Sequence, residues 1–127
     1  MDDTATVALY LARRDTYAAL LNAVDDELRI AWHRCDGRYT TPDGQPDEAA
    51  AVGDVDRAYV NSRAKFNVID LEGVGPVKEA RALVERAAAL HKGGGTEPNW
   101  ADFKRAREAF VTAASRYLKT LLPEAGH

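Results

Sequence analysis

The side chains of this chain that are best suited to chemistry are few and widely spaced. Its three histidines are His33, His91 and His127, and its single cysteine is Cys35. Helical bundles hold metals with Glu-x-x-His pairs on facing helices, because residues three apart share a helix face. The one such pair, Glu124-Ala-Gly-His127, follows Pro123 at the C-terminus, where chain ends fray, so no metal site is expected. Magnesium chemistry would need clustered carboxylate pairs. The nearest approaches are Asp25-Asp26-Glu27 and Asp54-x-Asp56. Consecutive acids on a helix point in different directions, and these read as a solvated face. Gly93-Gly94-Gly95 lacks both a preceding strand and a following Gly-Lys-Ser/Thr, so it reads as a helix-terminating linker and not as a phosphate loop. Cys35 sits in His33-Arg34-Cys35-Asp36, where cationic neighbours could favour a thiolate, yet it continues an apolar stripe and is expected in the core. His91, at the end of another apolar face, reads as a half-buried, hydrogen-bonded side chain. No catalytic residue and no cofactor is expected.

A second set of polar residues lies on or beside apolar faces. Arg13 and Arg14 flank the first stripe, where their stems can cover the core and their heads can meet acids. Ser62 falls inside a stripe and Arg107 beside one, and buried polar groups need partners. Ser62 can bond the carbonyl one turn back. A pocket between helices that uses Arg14, Ser62, Arg63 or Arg107 to hold an anion is the alternative reading of these positions.

Four segments have the periodicity needed to position such residues. Tyr10, Tyr17, Leu21, Val24, Leu28, Ala31 and Cys35 recur at spacings of three, four or seven, with no Gly or Pro between Thr4 and Asp36, which predicts one long amphipathic helix over 4–36. Thr4 is placed to cap its start, and Gly37 its end. The stretch from Gly37 to Asp47 is dense in turn formers and predicts an exposed connection. Asp47 caps a second helix over 47–71 that carries Val52, Val55, Tyr59, Ser62, Phe66 and Ile69 on one face. Gly73-Val-Gly75-Pro76 breaks the chain, and Pro76 suits the first turn of a third helix over 76–92. Thr96-Glu97-Pro98 opens a fourth over 97–122, with Phe103, Ala106, Phe110, Ala113, Ala114, Tyr117 and Leu121 inward and Pro123 as its stop. Short links place neighbouring helices antiparallel. The expected fold is all-α: a single-domain four-helix antiparallel up-down bundle, residues 1–127, with a long first helix.

The composition suits such a domain. Of the 127 residues, 46% are hydrophobic and 29% charged, which is ordinary for a globular chain. Seventeen basic residues against 20 acidic leave a net charge of −3, so the diffuse attraction to nucleic acid or anionic lipid is missing. One cysteine cannot form an internal disulfide, and no apolar run approaches the roughly 20 residues that span a bilayer. The expected compartment is the cytoplasm, without membrane insertion.

The order of several features resembles a loose group of actinobacterial helical-bundle proteins: Arg14-x-x-Tyr17 with Leu20-Leu21, then Tyr59, Val68-x-x-Leu71-Glu-Gly and Gly75-Pro76-Val77 followed by Ala80. The resemblance spans most of the chain and implies a helical fold, without implying an activity.

The helix lengths point to a function. A first helix of about 32 residues reaches roughly 48 Å, whereas the third allows only about 17 residues. Some of the first helix must overhang, and the segment from Val7 to Leu11, with Leu9 and Tyr10, is apolar on more than one side. Leu11 and Ile30 lie off the main stripe. Val7, Leu9, Tyr10, Leu11, Arg14 and Ile30 are therefore the candidate partner-binding residues of a non-enzymatic, self-associating protein interaction module. Besides the anion pocket, the rivals are a nucleic-acid-associated regulator using Arg34, Arg38, Arg57, Arg63 and Lys65, and an accessory part of a phage or bacterial defence system.

Overall fold

A computed structural model describes residues 3–92 and 97–122, with residues 92 and 97–99 described by their backbone alone. Met1, Asp2, the Gly93–Gly95 triplet, the expected cap Thr96, the stop Pro123 and the Glu124–His127 pair lie outside the described residues. The helices are α1 (Asp3–Cys35), α2 (Glu48–Glu72), α3 (Val77–Lys92) and α4 (Glu97–Leu121). The only β feature among the described residues is an isolated bridge between Thr40 and Pro46.

The ends of the helices are set by local chemistry. After Cys35 the chain closes α1 with a Schellman motif: Gly37 N–H donates to the Arg34 carbonyl, Arg38 N–H donates to His33, and Gly37 takes φ +69°. At the other end Thr4 lies inside the first turn and not at the cap, because α1 already includes Asp3. The α1–α2 connection is a compact hairpin. Thr41 and Gln45 pair through Thr41 N–H, Gly44 N–H donates to Thr41, and the Tyr39 hydroxyl donates to Asp54 Oδ2 at 2.9 Å. Asp47 then caps α2, its carboxylate accepting from Ala50 N–H at 3.1 Å. Gly73 ends α2 with φ +67°. Pro76 stands one position ahead of α3, with its carbonyl taking the first helical bond from Ala80 N–H.

Cross-chain pairs fix the up-down-up-down course. Arg13 near the start of α1 meets Glu72 at the end of α2 at 2.7 Å, and Arg34 at the end of α1 meets Glu48 at the start of α2. Trp32 lies edge-on to Trp100 at 5.8 Å, which places the end of α1 beside the start of α4. Arg81 and Asp70 join α3 to α2 at 3.0 Å. α3 touches all three other helices, whereas among the described residues α2 and α4 do not touch each other. The cross-section is therefore a rhombus with α1 and α3 on its short diagonal. Small buried residues on α3, Ala80, Ala87 and Ala88, allow that approach, with Leu83, Val84 and Leu90 filling the space beside them.

Two sequence-based placements change. Cys35 is exposed and not in the core: it follows one turn after Ala31, the last buried residue of α1, and the core has ended there. Val52 is also exposed, and α2 buries Ala51, Val55, Ala58, Ser62, Phe66 and Ile69 instead.

The end of the bundle that holds the α2–α3 turn is tightly packed. A Cβ at Gly75, where φ is +75°, would stand 2.6 Å from the Tyr17 hydroxyl and 2.9 Å from Tyr117 Cδ2. Gly75→Ala therefore combines a left-handed backbone with a direct clash and should cost about 2–4 kcal/mol in urea denaturation. Gly37→Ala meets open space and should cost only about 1 kcal/mol. Burial, and after it the neighbouring Tyr117 and the Glu72 carboxylate, push the Tyr17 pKa up to about 12, against the opposing effect of Arg13. The unfolded chain then loses its phenol proton near pH 10 while the folded chain keeps it, so stability falls as the pH rises from 10 to 12. Tyr17→Phe should flatten that part of a stability-against-pH curve.

Candidate functional site

Three places carry the polar and apolar features from which a site could be built: the overhang of α1, the groove between α1 and α4, and the buried polar groups along the α1–α3 diagonal.

At the overhang, Val7, Leu9 and Leu11 are exposed at 43%, 42% and 40%. None of residues 3–16 is buried, and Tyr17 is the first core residue of α1. The Arg13–Glu72 pair brings the end of α2 alongside, so Val68, Leu71 and Val74, all exposed, lie at this same end of the bundle, with Leu71 at 88% exposure. Val68 and Leu71 continue a second stripe of α2 through Val60 and Ala64, on the side opposite its buried face. The spacing of Val60, Ala64, Val68 and Leu71, at four, four and three residues, is legible in the sequence but lies outside the face expected to be buried. Ile30 is half-buried near the far end of α1, so it does not join Val7, Leu9, Tyr10 and Leu11.

Tyr10 and Arg14 turn toward α4, where they line a groove of ≈ 270 Å³ with Tyr17, Leu21, Leu118 and Lys119. The groove opens because the facing residues at mid-length, Ala18, Ala114 and Ser115, are small.

The four residues considered for an anion pocket are not brought together. Arg14 is exposed at the rim of the α1–α4 groove. Arg63 borders a separate groove between α2 and α3 and stacks over the Phe66 ring at 5.5 Å, with Arg81 at the same distance from that ring. Arg107 is held by both oxygens of Asp25, at 3.0 and 2.8 Å, and that hydrogen-bonded carboxylate raises its pKa. Ser62 is fully buried, and its hydroxyl makes no hydrogen bond with another protein group, so the expected bond to the preceding turn is absent.

Glu27 is the larger correction. The sequence groups it with Asp25 and Asp26 on a solvated face, but it is 0% exposed. Asp25 and Asp26 face solvent and basic partners, while Glu27 points inward one turn from Val24 and Ala31 and meets His91 Nε2 at 2.8 Å. His91 is thus the hydrogen-bonded side chain expected there, and Tyr59 of α2 lies edge-on to it at 6.0 Å. The hydrogen bond crosses from α1 to α3, a partner that periodicity within one helix cannot reveal. Among the described residues no group of three or more His, Cys, Asp and Glu is placed to hold a metal ion, and no helix is long and apolar enough to cross a membrane.

No known protein family, curated protein or solved structure matches this chain.

Ser62 provides a check on whether its position is a ligand site or part of the core. Removing an unpaired buried hydroxyl relieves a desolvation cost, so Ser62→Ala should raise the stability by about 1 kcal/mol in a denaturant titration. A loss of similar size would mean that the hydroxyl has a partner in solution.

Proposed function

We propose that this protein is a non-enzymatic helical interaction module that associates with a second copy of itself through the end of the bundle where α1 overhangs. The observation that carries this reading is the concentration of exposed apolar side chains there: Val7, Leu9 and Leu11 on α1 with Val68, Leu71 and Val74 from the end of α2 and its turn. The nine residues Thr4 to Ala12 contain no charge. A helical segment without a charged face is covered by a partner or pays a large hydration penalty. An apolar patch is complementary to itself, which suits a two-fold interface in which each copy offers the same residues. Residues 3–12 project about 15 Å past the pairing of Arg13 with Glu72, far enough for one overhang to lie along the outer stripe of the partner's α2.

The competing readings have less support. The anion pocket loses its basis because Arg14, Ser62, Arg63 and Arg107 are dispersed. A nucleic-acid surface would require free cations, yet Arg34 pairs with Glu48, Arg38 with Asp36 and Arg57 with Asp54. Arg63 and Lys65 form no ion pair among the described residues, but two cations on a chain of net charge −3 give a weak field for such binding. We assign the module to the cytoplasm, where a lone exposed thiol stays reduced.

Light scattering at micromolar concentration should give the mass of a dimer. The double variant Val7→Glu, Leu71→Glu changes two exposed positions, so it should keep the helical circular dichroism of the parent and sediment as a monomer. A parent protein that is monomeric at every concentration up to a few hundred micromolar would sink the proposal.

A further inference from the structure

Among the described residues, grooves run between α2 and α3, between α3 and α4 and between α1 and α4, and their charges differ. The α2–α3 groove carries Glu85 beside Arg63. The α3–α4 groove carries Glu79 and Glu108 beside Arg105 and Arg116. Each therefore holds both signs. The α1–α4 groove has two charged residues, Arg14 and Lys119, and both are cationic.

Neither cation is tied down. Among the described residues the ion-pair partner of Arg14 is its neighbour Asp15, 3.4 Å away, and both side chains are more than half exposed, a contact of little energetic weight. Lys119 forms no ion pair among the described residues. Ser115 lines the groove one helical turn before Lys119 and adds a hydroxyl donor on the same side. Below this polar rim the walls are Ala18, Leu21, Val111, Ala114 and Leu118, with the rings of Tyr10 and Tyr17 closing it. From Tyr10 to Leu21 the groove follows α1 for about 16 Å, and its volume is ≈ 270 Å³. That is just below the usual size of a site for a drug-sized molecule.

We infer that the α1–α4 groove is a binding site for a single-tailed anionic amphiphile, its headgroup held by Arg14, Lys119 and Ser115 and its alkyl tail lying along Ala18 toward Leu21 and Val111. Charge complementarity selects the head. A guanidinium whose acid neighbour Asp15 is itself mostly exposed, and an ammonium with no acid among the residues that line the groove, attract a carboxylate or a comparable singly charged group on a chain whose net charge is otherwise negative. The apolar walls select the tail, and about 10 Å of helix from Arg14 to Leu21 matches a chain of eight to ten carbons. The inference does not depend on self-association, because it rests on the groove and on cations that the overhang does not supply.

The test uses the full chain and sodium decanoate below its micelle-forming concentration, followed by calorimetry and by backbone amide shifts. Binding should be saturable, with the shifts centred on Tyr10, Ala18, Val111 and Lys119. Affinity should rise by on the order of tenfold from octanoate to decanoate, since each buried methylene contributes about fourfold. It should level off for chains too long for the groove. Arg14→Gln and Lys119→Gln, both at exposed positions, should each weaken binding about fivefold, and decanol should bind more weakly than decanoate. Ala18→Phe should fill the groove and abolish binding while circular dichroism shows the bundle intact. The inference is overturned if decanoate fails to saturate in the millimolar range, if affinity is indifferent to chain length, or if the double variant Arg14→Gln, Lys119→Gln binds as the parent does. Attachment to vesicles of anionic lipid without binding of monomeric decanoate would also overturn it, since that result assigns the cations to a membrane surface.

Discussion

The approach of α3 to α1 along the short diagonal is the constraint on which the other contacts depend. A helix of 16 residues lies against one of 33 and touches every other helix of the bundle. It can do so because Ala80, Ala87 and Ala88 keep its surface low. Its start is fixed by Gly75 pressed beneath Tyr17 and Tyr117, and its end by His91 against Glu27. With that diagonal occupied, α2 and α4 are held apart, and each packs into the angle between α1 and α3. The short helix also limits the height of the core, so the ends of α1 run beyond anything that could cover them.

The four helices fall into two kinds. α3 and α4 place their large apolar residues mostly on one side, in the ordinary manner of a surface helix. α1 and α2 carry apolar residues on their outer sides as well, through Val7 and Leu11 and through Val60, Val68 and Leu71. The charges are arranged locally. Arg29, Arg57 and Arg105 each meet an acid three residues away on the same helix, and Arg13, Arg34, Arg81 and Arg107 meet acids on neighbouring helices. The α1–α4 groove differs in having cations and no acid among its lining residues, and the start of α1 in carrying no charge from Thr4 to Ala12. These are different surfaces with different chemistry, and the two proposals made for them are independent.

Much of the fold was legible because helix limits are written in a few residues. Asp47, Gly37, Gly73 and Pro76 act on their own backbone neighbourhood, and the sequence places each within a residue or two of its role. The position of a side chain within the bundle was less legible. Periodicity gives the angle of a residue around its helix and is silent on how far the neighbouring helices extend. Cys35 has the angle of a core residue and Leu9 nearly so, but both lie past the ends of the core. Glu27 failed in the opposite sense: its type suggested solvent, although Leu20, Val24 and Ala31 at the same spacing placed it inward. Ser62 was correctly read as buried, but its lack of a partner depends on the helices around it. The groove cations depend likewise on α1 and α4 meeting, which brings Arg14 beside Lys119 across more than a hundred residues of chain.

The Glu27–His91 hydrogen bond also bears on alignment. Alanine, valine and leucine surfaces attract one another in nearly any sliding position, so the α1–α3 contact would tolerate displacement along the helix axes if it were wholly apolar. A shift of one turn, about 5.4 Å, would carry His91 away and leave a carboxyl group facing hydrocarbon without a partner, at a cost of several kcal/mol. The pair thus works as a registration pin: it adds little attraction of its own, but it makes every misaligned stacking of the two helices expensive.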